Sequence, residues 1–191
     1  TRIMADLEQQ YPSCTLFAAE TAEGGVFLGA SPETLVRLQE GEVYCDALAG
    51  TAWHEGKATP AADRNLLGDV KNGREHRLVV QAIAEVLRPL CARLEVPDAP
   101  QIRRLGQLRH LWSSLHGRVK TGVGLLDLLQ RVHPTPAVGG YPRQAALDWL
   151  AQQGEQRAGW YTGAVGWLDA AGEGDFAVAL RCAHLRGRVA D

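Results

Sequence analysis

The alternation of apolar and polar residues predicts antiparallel strands at the front of the chain and again towards its end. Residues 14–29 and 34–48 each have the pattern of two strands joined by a short turn, the first around Glu23-Gly24-Gly25. The pattern returns over 101–115 and over 163–183, where apolar residues surround a Gly-rich turn. These segments predict a fold with much antiparallel sheet.

Helical periodicity fills the middle of the chain. Apolar residues recur at three and four positions over residues 61–94, which predicts one long amphipathic helix with a break near Gly73. Shorter helices are predicted over 4–10, over 124–132 and from Tyr141-Pro142, where the proline suits a first helical turn. Because strands and helices come in separate blocks, the pattern predicts an α+β fold.

Composition narrows the functional classes. The chain has 191 residues, 46% of them hydrophobic, and a formal net charge of −2, which suits one globular domain with a sizeable core. No basic block could neutralise several phosphates, so a nucleic-acid partner is not expected. No apolar run approaches the roughly 20 residues that cross a bilayer, so no membrane partner is expected either.

Cysteine usage and the chain ends add two expectations. The four cysteines lie far apart, without the close pairs typical of zinc or redox motifs, and a reducing cytoplasm is the predicted location. The chain opens on Thr1 with no initiator methionine and ends at Asp191 just after a strand-like run. We therefore expect a fragment, a single partial domain over residues 1–191, and a monomer.

Three segments in the first half could carry chemistry. Glu33 follows a strand and a Ser-Pro turn, a geometry that projects a carboxylate into a cleft, although such an acid is more often solvated. Leu48-Ala49-Gly50-Thr51 leaves a strand through small residues, so it either approaches an anionic ligand or simply bends. Glu75 on the long helix is either a hard-cation ligand or half of a surface charge pair.

The second half offers four more candidates. His110 shares a strand face with Trp112 and is either a buried histidine with one partner or a cleft-lining donor. The segment 133–140 holds two prolines and two glycines, which predicts neither helix nor strand but a corner or a loop close to a ligand. Tyr161 precedes a strand, and Arg181 ends one, either snorkelling there or clamping a carboxylate.

Taken in order, these pieces resemble the motifs of the chorismate-utilising enzyme family from about Phe27 to the C-terminus. The motifs are Ser31-Pro32-Glu33, Leu48-Ala49-Gly50-Thr51, Glu75-His76, His110-Leu111-Trp112-Ser113, His133 through Gly140, Tyr161 through Trp167, and Ala179-Leu180-Arg181-Cys182-Ala183. The resemblance implies an α/β sandwich, incomplete here, with a magnesium-dependent site and chorismate as the small-molecule substrate.

Two local features separate the members of that family. The segment from His133 to Arg143 is similar to the isochorismate synthase version, and Ala137 matches a position where pyruvate-releasing relatives commonly have threonine. Residues 47–52 resemble the menaquinone-pathway synthases more than the siderophore ones. The alternative within the family is a salicylate synthase or another chorismate-converting relative.

The resemblance also implies roles for individual residues. Glu33 matches the general acid that protonates a departing ring hydroxyl, and Glu75 matches a ligand of Mg²⁺. The residues that match substrate-binding positions are Gly50, Thr51, His110, Ala137, Tyr161, Leu180 and Arg181.

The chain departs from the family pattern in two places. The family's general base is a lysine upstream of the Ser-Pro-Glu motif, and no lysine precedes Glu33 here. A terminal Gly-Ala-Gly loop and a glutamate-rich last helix, which complete the family's magnesium site, would follow Asp191. One carboxylate alone does not hold Mg²⁺ tightly, so the second alternative is an inactive piece that lacks the base and the remaining ligands.

Overall fold

The computed structural model describes residues 2–22, 24–53, 59–153 and 160–191. Its strands are β1 (Thr15–Glu20), β2 (Val26–Ser31), β3 (Thr34–Gln39), β4 (Glu42–Trp53), β5 (Cys91–Glu95), β6 (Gln101–Leu105), β7 (Leu108–Val119), β8 (Ala164–Leu168), β9 (Gly174–Val178), β10 (Cys182–Arg186) and β11 (Val189–Ala190). Its helices are α1 (Arg2–Gln10), α2 (Pro60–Gly68), α3 (Val70–Leu87), α4 (Leu125–Val132), α5 (Pro136–Gly139) and α6 (Arg143–Gln152). Glu23, in the first predicted turn, lies outside the described residues.

The strands form two antiparallel sheets. The larger sheet has the order β5-β7-β4-β3-β9-β8, with β6 also paired to β7. Its longest pairing joins β4 to β7, both twelve residues long. The smaller sheet has the order β1-β2-β10-β11. The α+β prediction and the antiparallel pairing of the front strands are therefore confirmed.

The chain crosses between the two sheets at two points. Ser31-Pro32-Glu33 connects β2 of the smaller sheet to β3 of the larger one, and residues 179–181 connect β9 back to β10. The two crossings are hydrogen-bonded to each other, since the Ala30 amide donates to the Arg181 carbonyl at 3.1 Å. Residues at both crossings thus lie side by side.

Helix α3 covers one face of the larger sheet. Its buried residues recur at helical spacing, and with the inward residues of β3, β4 and β7 they form the main core. They are His76, Val79, Val80, Ile83, Ala84 and Leu87. None of the described helices has the length and apolar character needed to span a membrane.

The long helix predicted over 61–94 is wrong in two respects. The break falls at Asp69, whose side chain caps α3 by accepting from the Asn72 amide at 2.7 Å, whereas Gly73 lies inside the helix. The helix also ends at Leu87, because Pro89 has no amide hydrogen to continue it. Residues Cys91–Glu95 are a strand paired with β7.

The last predicted hairpin also needs correction. The pattern over 176–183 predicts one strand, but β9 ends at Val178 and β10, which begins at Cys182, belongs to the other sheet. The change of sheet occurs where Arg181 adopts a left-handed conformation with φ of 49°. Arg181 therefore lies in a kinked link between strands rather than at the end of a strand.

The segment 133–140 is also more regular than predicted. Residues Pro136–Gly139 form a short helix, α5, with proline at its start. Gly140 ends it at a φ of 82°, which glycine adopts without strain. The prediction of neither helix nor strand is thus wrong for these four residues, while the helix predicted over 124–132 is confirmed as α4.

Candidate active site

Seven of the nine site residues predicted from the sequence line one cavity of about 420 Å³. They are Glu33, Thr51, His110, Ala137, Tyr161, Leu180 and Arg181. They come from β4, β7, α5, the turn before β8 and both crossings between the sheets, so only the tertiary fold brings them together. Gly50 adjoins Thr51 without lining the cavity, and Glu75 lies elsewhere.

The buried acid of this cavity is Glu33, only 3% exposed. Its backbone is held on both sides, since its amide donates to the Ser31 hydroxyl at 3.3 Å and its carbonyl accepts from the Val178 amide at 3.2 Å. Among the described residues, Oε1 of its carboxyl has no hydrogen-bond partner. Desolvation, reinforced by the nearby Asp46 carboxylate, raises the pKa of Glu33 to about 8.

Asp46 and Arg103 form an ion pair beside Glu33. The Arg103 guanidinium donates to the Asp46 carboxylate at 2.9 Å and stacks over the ring of Trp112 at 5.4 Å. Asp46 thus has a cationic partner, whereas Oε1 of Glu33 has no partner among the described residues, and burial favours the neutral form of Glu33. The sequence motifs do not indicate this pair. The signal in the sequence was Asp46, an acidic residue inside the largely apolar strand β4.

The Gly50-Thr51 corner is a bulge in the central strand pair. Leu48 lies opposite Trp112 and Thr51 opposite His110, so two residues of β4 face one residue of β7. Gly50 has a φ of 81°, and a Cβ there would lie 3.2 Å from the Cβ of Asn72. Glycine is therefore required both by the backbone conformation and by the approach of α3.

Helix α3 holds this bulge with two side chains one turn apart. The Asn72 side-chain oxygen accepts from the Thr51 amide at 3.2 Å. The His76 ring, 1% exposed, lies 3.1 Å from the Ala49 carbonyl through Nδ1 and 2.9 Å from the Ser113 hydroxyl through Nε2. A carbonyl only accepts, so Nδ1 carries the hydrogen. The bulge is thus fixed from behind.

His110 connects Thr51 to Arg181. Its Nδ1 lies 2.8 Å from the Thr51 hydroxyl and its Nε2 lies 3.2 Å from Nη2 of Arg181. Burial, then the positive charges of Arg181 and Arg103, lowers the pKa of His110 to about 4. His110 is therefore a neutral ring at pH 7.

The far wall of the cavity comes from the segment around Tyr161 and from α5. Thr162 is held by its amide, which donates to the Ala179 carbonyl at 2.9 Å, and by its carbonyl, which accepts from His133 Nε2 at 2.7 Å. His133 begins the segment that carries Ala137 into the wall. The predicted loop thus bounds the cavity and contributes its shape.

Glu75 does not line this cavity. Its side chain is 54% exposed and pairs with Lys71 at 3.8 Å, one turn away on α3. Across the described ranges, no group of three or more His, Cys, Asp or Glu side chains could hold a metal ion. These residues therefore do not fit a magnesium centre on their own, and Glu75 as a ligand stays a prediction.

A larger cavity of about 760 Å³ lies on the other side of Tyr161, lined also by Phe27, Trp160 and His184. Asp191 at its wall is ion-paired with Arg186 at 2.7 Å. The smaller cavity contains both the buried acid Glu33 and Arg181, and we therefore take it as the candidate active site.

Comparison with known proteins identifies the family of this chain. A family model described as "Chorismate binding enzyme" matches residues 1–191. The "Salicylate biosynthesis isochorismate synthase" of Pseudomonas aeruginosa is 46% identical over 186 residues, which cover 96% of this chain and 39% of that protein. The isochorismate synthase EntC of Escherichia coli is 38% identical, covering 96% and 48%.

Solved structures agree in fold. MenF, the menaquinone-specific isochorismate synthase from Escherichia coli, superposes with a TM-score of 0.88 at 31% identity, over 98% of this chain and 44% of that one. Anthranilate synthase component I from Streptococcus pneumoniae gives 0.83 at 27% identity, over 95% and 40%. The chain spans less than half the length of each of these relatives. With its whole length matched by the family model and its predicted motifs gathered at one cavity, the chain belongs to the chorismate-binding enzyme family.

Proposed function

We propose that the protein to which this chain belongs is an isochorismate synthase, which converts chorismate into isochorismate. In this reaction water adds to one ring carbon while a hydroxyl leaves another, so the product is an isomer of the substrate. The observation that carries the proposal is Glu33, a buried carboxyl without a partner on Oε1 among the described residues, in a cavity that also contains Arg181. Relatives named isochorismate synthase support it.

Glu33 suits the role of general acid. A pKa of about 8 keeps its carboxyl protonated at pH 7, so it holds a proton for the departing hydroxyl, which leaves as water. A solvated carboxylate, with its usual pKa near 4, would already be ionised. The burial that raises the pKa therefore also supplies the acid.

Arg181 and Tyr161 suit the recognition of carboxylates. Arg181 contributes one Nη2 contact to His110 and keeps further guanidinium donors for a ligand. Tyr161 lines the same cavity with its side chain half exposed. Chorismate carries two carboxylates, and a cavity with a guanidinium and neutral hydroxyl donors matches that charge.

Within the described ranges, no lysine lines the cavity to activate the attacking water. Lys71 pairs with Glu75 and Lys120 donates to the Pro89 carbonyl at 2.7 Å, and neither lines the cavity. Lys57 lies outside the described residues. Magnesium would polarise a bound carboxylate in such a site, but the described carboxylates form no cage for it. The metal requirement therefore stays an expectation from the family.

The pathway, the monomeric state and the cytoplasmic location also stay predictions. Identity is 46% to the salicylate-biosynthesis protein and 31% to the menaquinone-specific MenF. These identities give no further support to the menaquinone pathway, which rests on the resemblance of residues 47–52 alone. The proposed reaction is the same for either pathway.

The test is product analysis with the protein encoded by the complete reading frame. Incubation with chorismate and Mg²⁺ is expected to yield isochorismate, and Glu33→Gln is expected to lower the rate strongly. Salicylate together with pyruvate would replace the proposal by the salicylate synthase alternative. A folded protein that leaves chorismate unchanged would support the inactive alternative.

A further inference from the structure

Three cavity side chains form a hydrogen-bonded chain with a defined direction. Arg181 lies in the link between the sheets, His110 on β7 and Thr51 at the bulge of β4. Nη2 of Arg181 is 3.2 Å from Nε2 of His110, and Nδ1 of His110 is 2.8 Å from Oγ1 of Thr51. The order is therefore Arg181, His110, Thr51.

The arginine sets the direction. A guanidinium has only N–H groups and always donates, so Nε2 of His110 must accept. A neutral imidazole then carries its one hydrogen on Nδ1, and that hydrogen is donated to the Thr51 oxygen. His110 is 6% exposed and lies near two guanidinium groups, those of Arg181 and Arg103, so a second proton on the ring is unfavourable.

Both nitrogens of His110 are consequently occupied within the protein. His110 has no N–H left for a ligand, unlike the cleft-lining donor considered from the sequence. Its partner Arg181 is held in place by its backbone as well, since a left-handed φ of 49° is sparsely populated and its carbonyl accepts from the Ala30 amide. The Arg181 end of this hydrogen-bonded chain is thus held in place.

The hydrogen-bonded chain ends at the Thr51 hydroxyl. Its oxygen accepts from His110, and the backbone amide of the same residue donates to Asn72. Within the described part of the protein, His110 is the hydroxyl's one partner, so its hydrogen is left for a group in the cavity. A hydroxyl used in this way donates to an acceptor.

We propose that His110 is a positioning residue, a neutral Nδ1–H ring that makes Thr51 a hydrogen-bond donor to a carboxylate in the cavity. The choice of chorismate as the carboxylate rests on the proposed function, whereas the direction of the chain does not. Because His110 Nδ1–H already occupies one lone pair of the Thr51 oxygen, the hydroxyl hydrogen is directed to an acceptor in the cavity. The corner therefore favours an acceptor oxygen, of which a carboxylate oxygen is the strongest.

The state of His110 is tested by ¹⁵N NMR of the histidine-labelled protein without ligand. The two ring nitrogens of His110, assigned by their loss in His110→Asn, are expected to show a protonated Nδ1 and a bare Nε2. They should not titrate between about pH 5 and 8, where a free histidine does. A hydrogen on Nε2, or a titration in that range, overturns the proposal.

The donor role of Thr51 is tested by chorismate binding in the presence of Mg²⁺. Thr51→Val keeps the shape but removes the hydroxyl, and is expected to weaken binding about 10- to 100-fold, as loss of a hydrogen bond to a charged group does. Thr51→Ser is the matched control and should stay within a few-fold of the wild type. Equal affinity of Thr51→Val and the wild type overturns the donor role.

Rescue separates positioning from simple packing. His110→Asn can place an amide N–H near Thr51, so it should retain more affinity than His110→Leu, which cannot. Equal losses in the two variants count against the proposal. Product analysis of the wild type is read separately: a product other than isochorismate refutes the proposed function and leaves the direction of this chain intact.

Discussion

Replacement of Glu33 by glutamine should stabilise the protein at alkaline pH while abolishing its function. Glutamine has nearly the same shape as a protonated glutamic acid but cannot ionise. The wild-type carboxyl is 3% exposed, and its Oε1 has no partner among the described residues. Ionisation of Glu33 in the folded state is therefore unfavourable, and Glu33→Gln removes that cost.

The magnitude follows from the pKa of Glu33. The carboxyl ionises near 4.5 in the unfolded chain and near 8 in the folded one. Between these values the unfolded state binds fewer protons, so the free energy of unfolding falls as pH rises, by about 1.4 kcal/mol per pH unit. The loss begins above the unfolded pKa and is complete above the folded one, where it reaches about 5 kcal/mol.

The assay is urea denaturation of both proteins at about pH 5 and about pH 8. The wild type is expected to lose more stability than Glu33→Gln between the two conditions, by several kcal/mol. Glu75→Gln is the control, because that exposed side chain makes a surface ion pair worth less than about 1 kcal/mol. If the free energy of unfolding depended on pH equally in the wild type and in Glu33→Gln, the conclusion that Glu33 is buried in its protonated form would be refuted.

The catalytic rate of Glu33→Gln should fall, whereas its stability at alkaline pH should rise. Loss of a general acid typically lowers the rate by about 10²- to 10⁴-fold, so Glu33→Gln is expected to be nearly inactive on chorismate. The wild-type rate should fall as pH rises past about 8, where Glu33 loses its proton. A rate that stays constant from about pH 7 to 9 would exclude Glu33 as the acid.

Three further changes test other parts of the site. Gly50→Ala should cost more stability in urea than Gly24→Ala: both glycines have positive φ, but only at Gly50 would a Cβ meet an atom, at 3.2 Å, and equal costs would show that α3 does not crowd the bulge. His76→Leu removes the ring hydrogen bonds to the Ala49 carbonyl and the Ser113 hydroxyl and should destabilise the protein by about 1–3 kcal/mol in the same assay, and a neutral result would mean that the bulge needs no support from this ring. Ala137→Thr adds a hydroxyl to the cavity wall and is expected to raise pyruvate release relative to isochorismate, measured by coupled oxidation of NADH. Unchanged product ratios would remove Ala137 as the discriminating position.

Much of the site could be predicted from the sequence because its residues occur in short local motifs. Ser31-Pro32-Glu33 and Leu48-Ala49-Gly50-Thr51 mark a strand end and a bend in β4 by residue type alone. The antiparallel pairing of the front strands was predictable for the same reason, since period-two alternation and a short turn are local properties. Residue identity and spacing therefore indicated where the chemistry lies.

The boundaries between elements were decided by tertiary contacts. Apolar spacing extended the central helix to Leu94, but pairing with β7 makes Cys91–Glu95 a strand at the edge of the larger sheet. A single strand through residues 176–183 satisfies the local pattern equally well. Only the position of β2 in a second sheet divides it, because β10 pairs there and Arg181 must turn between the two.

The protonation states of the site were also a property of the fold. Nothing in the local sequence distinguishes Glu33, which is buried beside Asp46, from Glu75, which is exposed beside Lys71. Likewise, His110 was predicted to line the cavity, but its tautomer depends on Arg181, which is 71 residues away in sequence. A sequence motif specifies which groups are present. Burial and neighbouring charges, which only the tertiary structure supplies, decide which of them hold a proton and in which direction they donate it.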